Sequence, residues 1–169
     1  MNAELNRRIE NIIRFGTIAE VDLVNARAKV NSGGIRTDWL PWLAYRAGTT
    51  KTWSPPTEGE QCIILAASGE LTTAVILSGL YTQNSPSRSA DEHLIEFADG
   101  ATLRYNQASG TLYYTGMQSF VIDCPQITIN GDIQLNGVLS SSGDQIAGGI
   151  SIMNHTHQGD SGGRTGKPS

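Results

Sequence analysis

Two histidines near the end of the chain, His155 and His157, have the clearest potential for chemistry. Residues at i and i+2 of an extended chain point to the same face, so both imidazoles could bind one ligand. In a single chain such a pair is usually an ordinary surface feature. If three chains met about one axis, six imidazole nitrogens would converge. That donor set suits an octahedral iron, nickel or cobalt ion better than tetrahedral zinc.

A second motif, GDSGG, spans Gly159 to Gly163 and matches the nucleophile motif of trypsin-like serine hydrolases. That chemistry needs a histidine base, an orienting carboxylate and further chain after the serine to form a specificity pocket. Eight residues follow Ser161 in this sequence, and His93 lies beside a polar linker without the context of such a base. A glycine-rich run with an aspartate is also typical of a tight turn. We therefore expect no enzymatic activity and keep the hydrolase as an alternative.

The segment before these motifs must position them, and it contains little charge. Of 28 charged residues, 22 lie in 1–104 and only three, all aspartates, lie in 105–158. Twelve of the 19 glycines lie at or after Gly100. The chain therefore consists of two chemically different halves.

Within the charge-poor half, residues 127–136 alternate without exception between an apolar or glycine residue and a polar one. This pattern predicts strands that bury one face. Few long hydrophobic residues and no helix accompany them, so about 60 residues of this kind cannot close a core within one chain. We expect a homotrimeric β-prism, an intertwined triple-stranded β-helix. A monomeric β-solenoid, as in a surface adhesin, is the alternative.

The first half has a different pattern. Residues 3–14 fit a short amphipathic helix, either packed on its own domain or serving as an arm for assembly. Four to six short strands follow up to residue 81, as in a small closed barrel or sandwich. We divide the chain into a helix or arm (1–14), a barrel (15–82), a linker (83–92), a stem (93–140) and an apex (141–169).

Composition excludes several classes of protein. No apolar run approaches the roughly 20 residues of a membrane-spanning helix, and the N-terminus does not resemble a secretory signal. Cys62 and Cys124 have no zinc-site spacing, and we expect both to be buried thiols.

The net charge is −4, and residues 1–104 carry ten basic and twelve acidic residues. Barrels of this kind often bind oligonucleotides or glycans, but this balance disfavours a nucleic-acid partner.

The terminal motifs resemble a known family. Residues 148–168, with Asn154, the His155 and His157 pair, GDSGG, Thr165 and Pro168, look like the tip of the baseplate central spike of contractile-tailed phages, the baseplate assembly protein V family. The run TINGDIQLNG at 128–137 resembles the stem of that spike. Residues 15–81 are similar in pattern to its N-terminal OB-fold.

This resemblance implies an all-β homotrimer, with an OB-fold collar, a triple-stranded β-helix and a pointed apex. It also implies one iron ion per trimer, held by His155 and His157 of all three chains. Further calcium or chloride ions occur in some members, and Asp160 and Ser161 are candidates for such sites. The implied protein is made in the host cytoplasm and becomes part of the virion. There its collar contacts hub or tube proteins, and its apex pierces the host outer membrane. No small-molecule substrate is implied.

Overall fold

The computed structural model describes residues 3–168, and the chain divides into two units, one ending at Ser119 and one beginning at Phe120. One helix and eleven strands make the fold predominantly β, as predicted, and no helix in the described range could span a membrane. Two short 3₁₀ helices, Ala67–Gly69 and Leu71–Thr73, follow the fifth strand. The other elements are α1 (Ala3–Ile12), β1 (Ile13–Asp22), β2 (Arg27–Ser32), β3 (Ile35–Arg36), β4 (Leu40–Pro41), β5 (Gln61–Leu65), β6 (Val75–Leu80), β7 (Glu92–Glu96), β8 (Thr102–Asn106), β9 (Thr111–Thr115), β10 (Ile146–Ala147) and β11 (Ile150–Ser151).

Strands β1 to β6 form a small closed barrel. Their order is β3-β2-β1-β5-β6, with antiparallel neighbours, and β4 also pairs with β2. The barrel closes where Trp42, just after β4, pairs in parallel with Ile76 of β6, and the N–H of Leu43 donates to the carbonyl of Ile76 at 2.8 Å. Closure removes the exposed sheet edges that strands this short would otherwise leave. The predicted barrel is confirmed.

The barrel core follows from the period-two pattern of its strands. Alternate residues of β2 and β5 are buried, and they meet side chains from β1, β4 and β6. The buried cluster consists of Ile18, Ala28, Val30, Leu40, Cys62, Ile64, Ala66, Ala74 and Ile76.

The two cysteines differ in their surroundings. Cys62 is fully buried in the barrel core, and burial, with a smaller effect from Glu60, raises the pKa of its thiol to about 11. Cys124 is exposed, and its Sγ donates to the carbonyl of Gln126 at 3.3 Å. The prediction of a buried thiol is therefore right for Cys62 and wrong for Cys124 in the single chain. The segment around Cys124 pairs with no strand among the described residues, so nothing there buries the thiol.

Helix α1 packs on the barrel through its polar side. Asn11 is buried and accepts a hydrogen bond from Arg14 at 3.0 Å, whereas Leu5 and Ile9 are about half exposed. Backbone atoms of Arg8 lie directly against Gly69. The helix therefore rests on its own domain, but its apolar stripe faces outward.

The contact between α1 and Gly69 gives a testable prediction. Gly69 has φ of +71°, and a Cβ there would overlap backbone atoms of Arg8. Gly59 has φ of +86° with nothing within 4 Å of a built Cβ, so Gly59→Ala is a matched control. We expect backbone strain of about 1–2 kcal/mol in both variants and a further loss of about 1–3 kcal/mol from overlap in Gly69→Ala alone. Thermal unfolding should show a clearly lower midpoint for Gly69→Ala. Equal midpoints would contradict this packing.

Strands β7, β8 and β9 form a separate antiparallel meander with two unlike faces. His93 pairs with Tyr105, and Ile95 with Leu103, so these side chains share one face. On the other face Arg104 lies 3.1 Å from Glu92 and 4.7 Å from the centre of the Tyr113 ring. Ile95 and Leu112, on the apolar face, are each more than half exposed. That face comprises His93, Ile95, Leu103, Tyr105, Leu112 and Tyr114.

The segment from Val121 to Asp144 has no regular secondary structure among the described residues. Across it, the described residues form no strand pairing and no backbone–backbone hydrogen bond. The apolar row of the period-two pattern is exposed, with Ile129 at 60% and Ile133 at 70%. Backbone amides and carbonyls that leave water are nearly always paired, so burial of this row would require backbone partners that the described residues do not supply in this structure.

Candidate metal centre near the chain terminus

The unit beginning at Phe120 contains a small hairpin that leads into the histidine pair. Strands β10 and β11 pair Ala147 with Ile150 in antiparallel register. Gly148 and Gly149 connect them with φ of +57° and +83°. Two successive positive φ angles are typical of a tight two-residue hairpin turn, which glycine adopts without strain. The glycines therefore reverse the chain shortly before the histidines.

A hydrogen-bonded turn follows β11 and fixes the approach to His155. The Ser151 hydroxyl accepts the backbone N–H of Asn154 at 2.9 Å, and the N–H of His155 donates to the Ser151 carbonyl at 3.2 Å. The carboxylate of Asp144 accepts the N–H of Met153 at 3.0 Å. Hydrogen bonds from the Ser151 hydroxyl and then from Met153 lower the pKa of Asp144. Asp144 therefore stays ionised and anchors the turn.

The ring of His155 is oriented by backbone carbonyls. Its Nδ1 lies 2.9 Å from the Ser151 oxygen and 3.1 Å from the Ile152 oxygen. Because carbonyl oxygens only accept, Nδ1 carries a proton, and the free lone pair of the neutral ring is on Nε2. Metal-binding histidines commonly donate their second N–H to a carbonyl in this way. The ring is thus arranged as an Nε2 donor.

The two imidazoles lie next to each other, as the i, i+2 spacing predicts. Their ring centres are 5.1 Å apart and their planes are perpendicular. The backbone of His157 is held on both sides by Thr165, whose hydroxyl accepts the His157 N–H at 2.9 Å and whose N–H donates to the His157 carbonyl at 3.0 Å.

The glycine-rich run returns the chain to the histidines. Gln158 and Arg164 form an antiparallel bridge, and the N–H of Gly159 donates to the Gly163 carbonyl at 2.7 Å. Farther along, the ammonium of Lys167 donates to the Asn154 side chain at 2.8 Å. The GDSGG run is therefore the tight turn that the sequence predicts.

Ser161 lies in this turn without the contacts of a hydrolase nucleophile. Its hydroxyl donates to the Asp160 carboxylate at 3.1 Å. A nucleophilic serine is instead activated by an adjacent base, most often a histidine. The third histidine, His93, belongs to β7 in the other unit.

One chain supplies too few ligands for a closed metal site. Among residues 3–168 no group of three or more His, Cys, Asp or Glu side chains is close enough to hold an ion. The donor set nevertheless fits a shared site, since His155 has an oriented Nε2 and His157 is its direct neighbour. Two imidazoles per chain become a six-nitrogen shell only with three chains.

The sequence alone does not assign roles to Ser151 and Thr165, the residues that hold the histidines. A weak signal was present, because Thr165 follows His157 across a glycine-rich run that can form a turn. Ser151 follows the Gly148-Gly149 pair in the same way. The hydrogen bonds themselves depend on the turn geometry, which spacing alone does not fix.

Comparison with known proteins places the two ends of the chain in related families. Residues 14–81 match the type VI secretion system/phage-baseplate injector OB domain, and residues 149–169 match the GpV apex motif. The chain is also 36% identical to the spike protein of Escherichia phage P2, over an aligned length of 202 residues. That comparison covers 98% of this chain and 96% of the relative.

Proposed function

The chain belongs to the phage spike protein family, and from that premise we propose that three copies form the central spike of a contractile-tail baseplate. In this proposal the spike is driven through the host outer membrane when the tail sheath contracts. Residues 15–82 form a collar, 93–140 a stem and 141–169 an apex. A short helix (1–14) precedes the collar, and a linker (83–92) joins it to the stem.

The observation that carries the proposal is the unpaired segment from Val121 to Asp144. Its apolar row is exposed, and its backbone forms no backbone–backbone hydrogen bond among the described residues. Three chains that wind about one axis would pair these groups and bury Ile127, Ile129, Ile133 and Leu135 toward each other. Residues between them, such as Asn130 and Gln134, would then form the outer wall.

A stem of this kind suits a mechanical role. Bending or unravelling intertwined strands requires many hydrogen bonds to break together, which gives a high kinetic barrier to unfolding. Between Val121 and Asp144 the only charged residues are three aspartates. Because ionised side chains are costly inside a membrane, an outer wall of mostly neutral polar side chains lowers the free-energy cost of moving the stem through the membrane.

At the apex, His155 and His157 of three chains would hold one metal ion through six nitrogens. The family resemblance favours iron, and six imidazoles suit octahedral geometry. The bound ion would cross-link three chain ends, where termini otherwise fray. Asp160 and Ser161 carry the oxygen atoms that a further calcium ion would prefer, and a chloride ion is the other candidate.

The two hydrogen bonds between Thr165 and the backbone of His157 give a second prediction. Thr165→Val keeps the volume but leaves the His157 N–H without its acceptor, a loss of about 0.5–1.5 kcal/mol. After a chelator is added, we expect this variant to lose its ion about tenfold faster than the unmodified trimer does. Metal analysis of the protein over time measures this rate. Thr165→Ser keeps the hydroxyl and should behave as the unmodified protein. The same rate in both variants would show that Thr165 does not position His157.

The collar is proposed to contact hub or tube proteins of the baseplate, which places the spike in the virion after synthesis in the host cytoplasm. The P2 relative is a spike protein, in agreement with a role without catalysis. We propose no nucleic-acid or small-molecule substrate.

Whole particles test the function. An epitope-tagged chain should be labelled at the distal end of the tail axis in electron micrographs. Contraction on host cells should release a periplasmic marker enzyme. Particles assembled without the chain should release none, and Ser161→Ala particles should match unmodified ones. Label elsewhere on the particle would exclude the spike role, and loss of release in Ser161→Ala would favour the hydrolase.

A further inference from the structure

The barrel carries a groove whose chemistry the stem and apex do not use. This groove, of about 500 Å³, opens beside β4 and the loop that follows it. Trp42 and Trp53 contact each other in it, with ring centres 5.7 Å apart and planes tilted by 57°. Trp42 packs against the barrel core, whereas Trp53 is 62% exposed. We call this feature the tryptophan groove; it is lined by Asn25, Ala26, Arg27, Pro41, Trp42, Ala44, Arg46, Ala47, Lys51, Thr52 and Trp53.

The loop that forms one wall of the tryptophan groove is held by its own hydrogen bonds. Ala47 and Lys51 form an antiparallel bridge, and the N–H of Thr52 donates to the Arg46 carbonyl at 3.0 Å. The N–H of Arg46 donates to the Thr52 hydroxyl at 3.1 Å. A wall fixed in this way loses little conformational entropy when a ligand binds.

Three cationic side chains surround the two tryptophans. Arg27, Arg46 and Lys51 are exposed, and within residues 3–168 none of them forms an ion pair within 4 Å. On the same barrel, by contrast, Lys29 and Arg36 both pair with Glu20. Unpaired cations beside exposed aromatic surface are complementary to a ligand that is both anionic and apolar.

We infer that the tryptophan groove docks a segment of a partner protein in which carboxylate side chains flank an aromatic or aliphatic one. The apolar side chain would pack against the exposed indole of Trp53, beside Trp42, and its carboxylate neighbours would face the three cations. This inference deepens the proposed function, because it assigns the collar's contact with the baseplate to one site. Tryptophan and arginine are also the residues most enriched among strong contributors to protein–protein binding.

The charge balance of the chain favours a protein segment over a nucleic acid. Single-stranded nucleic acid follows a continuous basic path with stacking aromatic residues. Here the three unpaired cations lie in one groove, and the whole chain carries a net charge of −4. A neutral glycan could stack on tryptophan, but it would leave the three cations without partners.

The test uses tryptophan fluorescence of the full-length protein. The probe is the blocked peptide acetyl-Asp-Phe-Glu-Leu-Asp-amide, and its control is the same peptide with Asn, Gln and Asn in place of the acids. We expect the acidic peptide to bind at least about fivefold more tightly, as two or three exposed ion pairs allow. Equal affinity for the two peptides would overturn the inference. So would tighter binding of oligothymidine than of the acidic peptide.

Variants locate the binding to the groove. Arg46→Gln/Lys51→Gln should lose most of the preference for the acidic peptide, and Trp53→Ala should bind neither peptide measurably. The matched controls are Arg88→Gln, an exposed cation outside the groove, and Trp39→Phe, which leaves both groove tryptophans in place. If the controls weaken binding as much as the groove variants, the inference is wrong. It is also wrong if the groove variants change the oligomeric state, since the groove would then be a contact between copies. Neither result alters the metal content or stem assembly on which the spike function rests.

Discussion

Ile129→Asp/Ile133→Asp is expected to abolish the trimer. Both side chains belong to the apolar row of the stem and are more than half exposed in one chain. In three intertwined chains the variant would place six carboxylates against one another near the axis. A buried unpaired carboxylate costs several kcal/mol even after relaxation, so the total exceeds what a stem interface can offset. Size-exclusion chromatography with light scattering should show a single-chain mass.

The stem offers a matched control for this variant. Asn130→Asp/Gln134→Glu adds the same charge per chain, but on the alternate residues that the pattern assigns to the outer wall. Solvated carboxylates cost little, so this variant should remain trimeric. If both variants dissociate, the added charge alone is responsible, and the proposal that the isoleucines point toward the trimer axis is wrong. If both stay trimeric, the apolar row is not the interface.

His155→Ala/His157→Ala is expected to remove the metal and leave the stem assembled. The unmodified trimer should contain one ion per three chains by metal analysis, and the double variant should contain almost none. Loss of the cross-link should also loosen the terminal turn, so that trypsin cleaves after Arg164 faster. The stem does not depend on the ion, and the mass in solution should not change.

His93→Ala is the matched control, because His93 lies on β7 in the other unit. This variant should keep its full metal content. Metal that persists in the His155→Ala/His157→Ala variant would place the ion elsewhere. Metal that disappears in His93→Ala as well would point to a general effect of histidine loss on assembly.

The barrel and the histidine pair could be predicted from the sequence because both follow from the spacing of nearby residues. Period-two burial in short strands requires closure, and i, i+2 spacing places two side chains on one face. The polar contacts that orient the pair, such as those of Ser151 and Thr165, depend on turn geometry that spacing does not determine. The tight turn at GDSGG was predictable because glycine supplies the necessary backbone freedom.

Two other features could not be predicted in the same way. The pairing of β7, β8 and β9 within the chain has the same alternation as pairing between chains, so the pattern alone does not distinguish them. Helix α1 shows an apolar stripe, but only the contacts of Asn11 and Gly69 reveal that its polar side packs on the barrel. The exposure of Cys124 has a related cause, since its segment pairs with no strand among the described residues of one chain.

The central claim is that three chains meet along the stem, and the mass of the unmodified protein in solution tests it most directly. One chain weighs 18.1 kDa. Sedimentation equilibrium over a range of concentrations should give about 54 kDa, three times that mass. A mass near 18 kDa at all concentrations would contradict the trimer and favour a monomeric β-solenoid.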